Sequence, residues 1–271
     1  MSGEFRTTDG TLLNVDDVGK GLPIVFQHGL CGDAGQPREA FPVDHGLRRI
    51  TIEARGHGRS QLGPLAGISI AQFSDDIAEY IENNLDSPVV VGGISMGAAI
   101  SLRLAVKRPD LVRGLIIARP AWIIEAAPEN MKPNGEVGRL LKELPPDKAK
   151  AAFLDGPTGR DLAEHAPDNL ASLTGFFSRQ PLDVTAALLE AIASDGPGVT
   201  KAEVRALDVP CMVIGHAKDS IHPLPYAQTL ARLIPGSRFV EITPKVDSRA
   251  QYVSDFHAAI NRFAEELKNH G

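Results

Sequence analysis

Cysteine is nearly missing from this chain: Cys31 and Cys211 are the only two among 271 residues. Two thiols make neither a disulfide framework nor a cysteine-based zinc site, and they fit free thiols in a reducing compartment. Aromatic residues are sparse at 5 %, and no basic run stands out against a formal charge of -6, so no nucleic-acid partner is expected. No apolar run approaches the ~20 residues that span a bilayer, and Met1-Ser2-Gly3-Glu4-Phe5 lacks the basic and apolar regions of a leader. The expectation is a cytoplasmic protein with no membrane partner, no metal and no cofactor. Oligomeric state leaves no mark in the sequence.

What is present is one well-formed stretch, Val89-Val90-Val91-Gly92-Gly93-Ile94-Ser95-Met96-Gly97-Ala98-Ala99-Ile100. The β-branched run Val89 to Val91 suits a strand buried on both faces, and from Ala98 to Val106 apolar residues recur at helical spacing. Ser95 therefore sits at a strand-to-helix turn. Gly93 and Gly97 lack the Cβ atoms that would collide there, which lets the hydroxyl project and aims the Met96 N–H at whatever it attacks. Such a turn is a nucleophile elbow.

Around it the chain alternates. Asp9-Gly10 closes a hairpin between Glu4–Thr7 and Thr11–Val18. Strands at Leu22–Gln27 and Leu47–Glu53 follow, then a helix announced by Ser69-Ile70-Ala71-Gln72, with Phe73, Ile77, Tyr80, Ile81 and Leu85 on one face. The elbow unit and a strand at Val112–Ala118 complete the first half, which predicts parallel strands joined by helical crossovers. From Arg119 to about Asp208 the alternation stops, and helical patterns at Val137–Leu144, Ala149–Leu154, Leu170–Phe177 and Val184–Ile192 predict an inserted lid over the carboxyl edge of the sheet. The sheet resumes at Val209–Gly215, followed by a helix at Pro223–Ile234, a strand at Arg238–Thr243 and a helix from about Tyr252 to Lys268. The division expected is a core of 1–118 and 209–271 with a helical cap at 119–208.

Three motifs, His28-Gly29, Glu53-Ala54-Arg55-Gly56-His57-Gly58-Arg59-Ser60 and Gly93-Ile94-Ser95-Met96-Gly97, resemble in type and order the α/β-hydrolase superfamily, in its capped branch of esterases, lactonases, carbon–carbon bond hydrolases and cofactor-free haloperoxidases. The second motif begins with Glu53 where the family usually has Asp. The resemblance implies an α/β-hydrolase fold, a mostly parallel sheet with flanking helices and a helical lid insertion. It also implies an oxyanion hole from the Leu30 and Met96 N–H groups, with Cys31 close by, and a triad carboxylate at Asp219, in Gly215-His216-Ala217-Lys218-Asp219-Ser220-Ile221-His222-Pro223.

The family's histidine, usually Gly-His after the last strand, is missing: Val246-Asp247 stands there, and no histidine lies between His222 and His257. Three readings are open. His222, three residues after Asp219, is a relocated base; Asp247 is a base with a raised pKa; or the serine chemistry is lost or redirected. His28 and His57 are expected to orient their loops, His257 to pack on the last helix, and His45, His165, His216 and His270 to have no partner that spacing names. Cys31 is expected to pack rather than attack. Arg119, at the end of an apolar strand, is expected either to hold a substrate carboxylate or to pair with the lid, and Trp122 to pack the lid or line the pocket. The function expected is a hydrolase for a small ester, lactone or related carbonyl substrate through Ser95. The alternative is a non-hydrolytic binder, lyase or isomerase on the same fold.

Overall fold

The computed structural model describes residues 2–42 and 46–269, so His45 and His270 lie outside the described residues. Eight strands form one sheet: β1 (Ser2–Arg6), β2 (Leu12–Gly19), β3 (Leu22–Gln27), β4 (Leu47–Ile52), β5 (Val89–Ile94), β6 (Val112–Ala118), β7 (Cys211–Gly215) and β8 (Arg238–Glu241). Their order across the sheet is β1-β2-β4-β3-β5-β6-β7-β8. The hairpin β1/β2 and the pair β2/β4 are antiparallel, and every other pairing is parallel, with Gln27 opposite Gly93 and Ile94 opposite Ala118. The sheet is thus mostly parallel with one antiparallel edge, as the sequence predicts.

The central strands read as unbroken apolar runs because both of their faces are covered. Alternate residues go to opposite sides: Val89, Val91, Leu115, Ile117, Cys211 and Val213 join one core, whereas Val90, Ile94, Ile116, Ala118, Met212 and Ile214 join the other. The first core is closed by α2 (Ile70–Asn84), α3 (Met96–Lys107) and α10 (Leu224–Leu233); the second by the short α1 (Gly35–Ala40) and the long α11 (Arg249–Asn269). Helix α2 starts where Ser69 Oγ accepts the Gln72 N–H at 3.0 Å. The Gln72 amide does not close a reciprocal box; it donates to Asp76 instead.

Between β6 and β7 the chain is helical: α4 (Lys132–Glu143), α5 (Pro146–Asp155), α6 (Pro157–His165), α7 (Pro167–Gly175), α8 (Leu182–Ala193) and α9 (Lys201–Arg205). Helices α5, α6 and α7 each begin on a proline, whose missing N–H costs nothing in a first turn. Helices α4 and α8 cross closely at Gly138, where a Cβ would sit 3.0 Å from the Ala186 carbonyl. The short α1, α6 and α9 are additions to the sequence expectation; α9 carries a complete Thr200–Glu203 capping box. No helix among the described residues is long and apolar enough to cross a membrane.

Candidate active site

Strand β5 ends by turning sharply into α3 at Ser95, whose φ of 57° and ψ of -113° lie outside the regions an L-residue favours. Such a conformation costs of order 1–3 kcal/mol and persists only where the surroundings enforce it. Here they do. A Cβ on Gly97 would lie 2.5 Å from the Gln27 carbonyl oxygen, and one on Gly93 2.6 Å from the Gly97 carbonyl carbon, so α3 starts pressed against the end of β3. The Ser95 N–H is held by the Ala118 carbonyl at 3.0 Å. Met96 is the first residue of α3, where N–H groups have no acceptor within the helix.

Opposite the elbow runs the loop after β3. Ala54 N–H donates to His28 Nε2 at 3.0 Å, so the ring proton is on Nδ1 and donates to the Gly29 carbonyl at 2.8 Å. Burial pushes the His28 imidazole down and keeps it neutral. Gly29 N–H donates to Gln36 Oε1 at 2.6 Å, and Cys31 takes a positive φ of 57°. From the segment between α7 and α8, Arg179 donates to the carbonyls of Cys31 and Gly56, tying this loop to its neighbour. Burial pushes the Cys31 thiol up to about 12, which keeps it protonated at neutral pH and fits a packing residue.

That neighbouring loop explains Glu53. Its buried carboxylate accepts the N–H groups of Ala34 and Arg59 and the Asn14 amide. Gly58 approaches so closely that a Cβ would lie 2.2 Å from the carboxyl group. The His57 ring lies 4.9 Å from that of His28, tilted by 43°, and donates to the Arg55 carbonyl; burial, then the neighbouring His28, hold it well below 6.5. Both histidines hold loops, and His257 bonds the Glu39 carbonyl from α11.

The loop after β7 folds around Asp219. One carboxylate oxygen accepts the N–H groups of Ile221 and His222, closing a tight turn that returns the His222 ring onto its own anchor. His222 Nδ1 lies 2.9 and 3.0 Å from the two carboxylate oxygens and 3.1 Å from Arg119 Nη2; the tautomer with its proton on Nδ1 donates to the carboxylate and has Nε2 as its acceptor. Arg119 donates from Nε and Nη2 to Asp219 Oδ2, at 3.2 and 2.6 Å, and from Nη1 to the Tyr252 hydroxyl at 3.0 Å. Asn169 of α7 donates to Oδ1 at 2.9 Å and accepts the Ser220 N–H. Burial alone would raise the Asp219 pKa; His222 and Arg119 outweigh it and hold the carboxyl well below its usual range. Burial, opposed by Asp219 and aided by Arg119, lowers His222 below 6.5, so the imidazole is neutral at pH 7.

Ser95 and His222 line one cavity of about 360 Å³, with Leu30, Cys31, Gln36, Asn134, Asn169 and others from both core and inserted helices. No hydrogen bond joins Ser95 Oγ to His222 among the described residues. Two of the sequence expectations fall elsewhere. Asp247 is on the surface, paired with Lys218 at 2.6 Å, because the turn after β8 carries it away from the cavity. Arg119 neither lines the cavity nor pairs with the lid; its left-handed backbone, φ 45°, sends the guanidinium to Asp219. Trp122 is buried off the cavity, donating to the Asp195 carbonyl, and so packs rather than lines. His216 has a partner after all: Nδ1 bonds the Ala217 carbonyl, and its ring stands edge-on to Tyr252. Asn169, Gln36 and Arg179 went unnoticed in the sequence, since an isolated polar residue carries no spacing signal.

A sequence model described as the alpha/beta hydrolase fold matches residues 23–245. The chain is 26% identical over 258 residues to the AB hydrolase superfamily protein YisY of Bacillus subtilis, covering 89% of this chain and 90% of that one. Among solved structures it resembles a thermophilic esterase from Thermogutta terrifontis, with a TM-score of 0.75, 23% identity and coverage of 98% and 99%. It also resembles the enol-lactonase from Burkholderia xenovorans LB400, with a TM-score of 0.70, 21% identity and coverage of 98% and 100%.

Proposed function

The chain belongs to the α/β-hydrolase fold family, and on that premise we propose that it is a serine hydrolase of small esters or lactones in which His222 is the base. One observation carries the reading: His222 shares a cavity with Ser95 while its Nδ1 is anchored 2.9 Å from Asp219. The neutral imidazole with its proton on Nδ1, the tautomer that the Asp219 carboxylate favours, has Nε2 as its acceptor, which is what a serine hydroxyl requires of a base. Esterase and lactonase chemistry in relatives of the same fold supports the substrate class.

In this reading Ser95 Oγ attacks the carbonyl carbon as its proton passes to His222 Nε2. The Leu30 and Met96 N–H groups stabilise the oxyanion. Collapse breaks the bond to the leaving oxygen, which takes the proton from His222 and departs as the alcohol. A water, deprotonated by the same nitrogen, then releases the acid and restores Ser95. Asp219 holds the tautomer and stabilises the imidazolium. The helices between 119 and 208 act as the cap, since Met131, Asn134, Asn169, Ser172, Leu173 and Phe176 come from them to the cavity wall. The two free cysteines suit the reducing cytoplasm.

A fluorophosphonate probe tests the nucleophile. Wild-type protein should be labelled at Ser95 and should hydrolyse p-nitrophenyl acetate, Ser95→Ala and His222→Ala should lose turnover by a factor of at least 10³, and Asp247→Ala should keep it. Full turnover in His222→Ala removes that residue as the base. The unmade Ser95–His222 hydrogen bond favours a second reading, a pocket that binds or isomerises a carbonyl compound with Ser95 as a hydrogen-bond donor; unlabelled Ser95 would select it.

A further inference from the structure

The loop after β3 faces Ser95 in a conformation that its own residues disfavour. Gly29 to Gly32 form a tight turn, closed where the Gly32 N–H donates to the Gly29 carbonyl at 3.0 Å. Of the two central residues only Cys31 has a positive φ, 57°, which is the type II form. That position suits glycine or asparagine, because a larger side chain crowds its own backbone there. The turn also presses on the nucleophile: a Cβ on Gly29 would lie 3.3 Å from the Ser95 Cβ. Any rearrangement of the turn therefore moves backbone beside Ser95.

Both ends of the turn are pinned. Gln36 Oε1 accepts the Gly29 N–H at 2.6 Å, and the Cys31–Gly32 peptide is gripped twice, by the Gly29 carbonyl and by Arg179, whose Nε donates to the Cys31 carbonyl at 3.1 Å. Of these pins only Arg179 comes from the inserted segment. Its Nη2 donates to the Gly56 carbonyl at 2.9 Å, and its Nη1 to the hydroxyl of the fully buried Thr185 at 2.8 Å, which fixes the guanidinium. Among the described residues Arg179 forms no ion pair, so its charge is directed at carbonyls, which a charged donor holds more firmly than a neutral one. Between the pins, the Leu30 N–H has no acceptor among the described residues.

We propose that Arg179 is a positioning residue for acyl transfer at Ser95: its grip on the Cys31 carbonyl keeps the turn in the strained form that presents the Leu30 N–H, and so ties the reactivity of Ser95 to the seating of the inserted segment. The role rests on the proposed serine hydrolase reading. Arg179 does not line the cavity, so it acts through the turn. A negative φ at Cys31 relieves the strain but turns over the Leu30–Cys31 peptide, which displaces the residue that carries the donor. The guanidinium charge also reaches the cavity wall, where it opposes the burial that raises the Cys31 thiol. The grip and this field are separable, because only the grip depends on which residue occupies the strained position.

A double-substitution cycle with Cys31→Gly tests the grip in the full chain, read by turnover of p-nitrophenyl acetate. Glycine takes a positive φ without strain, so a turn that carries it no longer needs the arginine. Arg179→Met should lower kcat at least ten-fold with KM within three-fold of wild type, and in the Cys31→Gly background it should lower kcat no more than three-fold. Loss of the charge, or a general loosening of the inserted helices, would cost the same in both backgrounds. Unchanged kcat in folded Arg179→Met, a loss confined to KM, or an equal loss in both backgrounds overturns the proposal. If Arg179→Met does not fold, Thr185→Val removes the hydroxyl that holds Nη1; it should cost at least three-fold in kcat, and nothing in the Cys31→Gly background, and an equal cost in both, or none, overturns the proposal. The Leu30 and Cys31 amide resonances of the Ser95→Ala protein report the turn without turnover and should move on adding Arg179→Met. Moving resonances in a chain that hydrolyses no ester remove the hydrolase reading and leave the grip standing, whereas resonances that stay in place overturn the grip itself.

Discussion

Replacing Arg119 by methionine tests the electrostatics of the cluster most directly. The side chains of Arg119 and Asp219 are 13% and 2% exposed, so the ion pair between them, 2.6 Å long, is largely withdrawn from water. Removing one partner of such a pair leaves an uncompensated buried charge and costs about 3–5 kcal/mol. A chain of this length loses roughly 2 °C of Tm per kcal/mol, so thermal unfolding followed by circular dichroism should show a fall of about 6–10 °C. The Asn169 amide and the two backbone N–H groups still bind the carboxylate, which places the outcome toward the lower end. Combining Arg119→Met with Asp219→Asn removes both charges, and the double variant should unfold at a higher temperature than Arg119→Met alone. Activity carries a second signature. Arg119 lowers the His222 pKa by charge repulsion, so its loss must raise that pKa, and the acid limb of kcat/KM against pH must move to higher pH. A Tm within 2 °C of wild type, or an acid limb that stays put or moves down, would refute the reasoning.

Two further perturbations follow from the geometry. Gly97→Ala places a methyl 2.5 Å from the Gln27 carbonyl oxygen, so β3 and α3 must separate; a loss of about 1–3 kcal/mol in urea unfolding and loss of fluorophosphonate labelling are expected, and unchanged labelling would contradict the elbow's tight packing. Global stability should also depend on mild acid. Burial lowers His28, His57, His216 and His222 below the ordinary 6.5. The unfolded chain then binds protons that the folded one refuses. This contribution is complete above pH 6.5 and is lost as pH falls below it, by up to about 1.4 kcal/mol per pH unit for each imidazole. Urea midpoints measured from pH 8 to pH 5 check the sign, and a midpoint that rises on acidification would exclude neutral buried histidines.

The sequence by itself determined the local chemistry of the elbow and the alternation around it. A β-branched run followed by Gly-x-Ser-x-Gly and an apolar helix is a contiguous pattern, and the geometry it encodes is set by nearest-neighbour sterics, so the strand-to-helix turn at Ser95 was legible, although β5 runs on from Val91 to Ile94 and α3 begins at Met96 rather than Ala98. The β1/β2 hairpin was legible too, with β1 starting two residues before the expected Glu4, and the bounds of β6 match the expectation at Val112–Ala118. Helix α6, by contrast, carries only Gly159 and Leu162 as buried residues, too few to give a periodic signal. Only the tertiary structure decided the surroundings of the proposed base. Asp219 and His222 are three residues apart, but a spacing of three in a loop fixes no direction; the ring turns toward Ser95's cavity because the Asp219 carboxylate gathers donors from four residues, Arg119, Asn169, Ile221 and His222 itself. Arg119, one hundred residues upstream, and Asn169, fifty upstream, meet that carboxylate through the crossing of β6 beside β7 and the return of α7 over the sheet edge. The same long-range packing sends Asp247 out to Lys218 and leaves Asn134 facing the cavity, because side-chain partnership at such separations is a property of the assembled layers and not of any stretch of sequence.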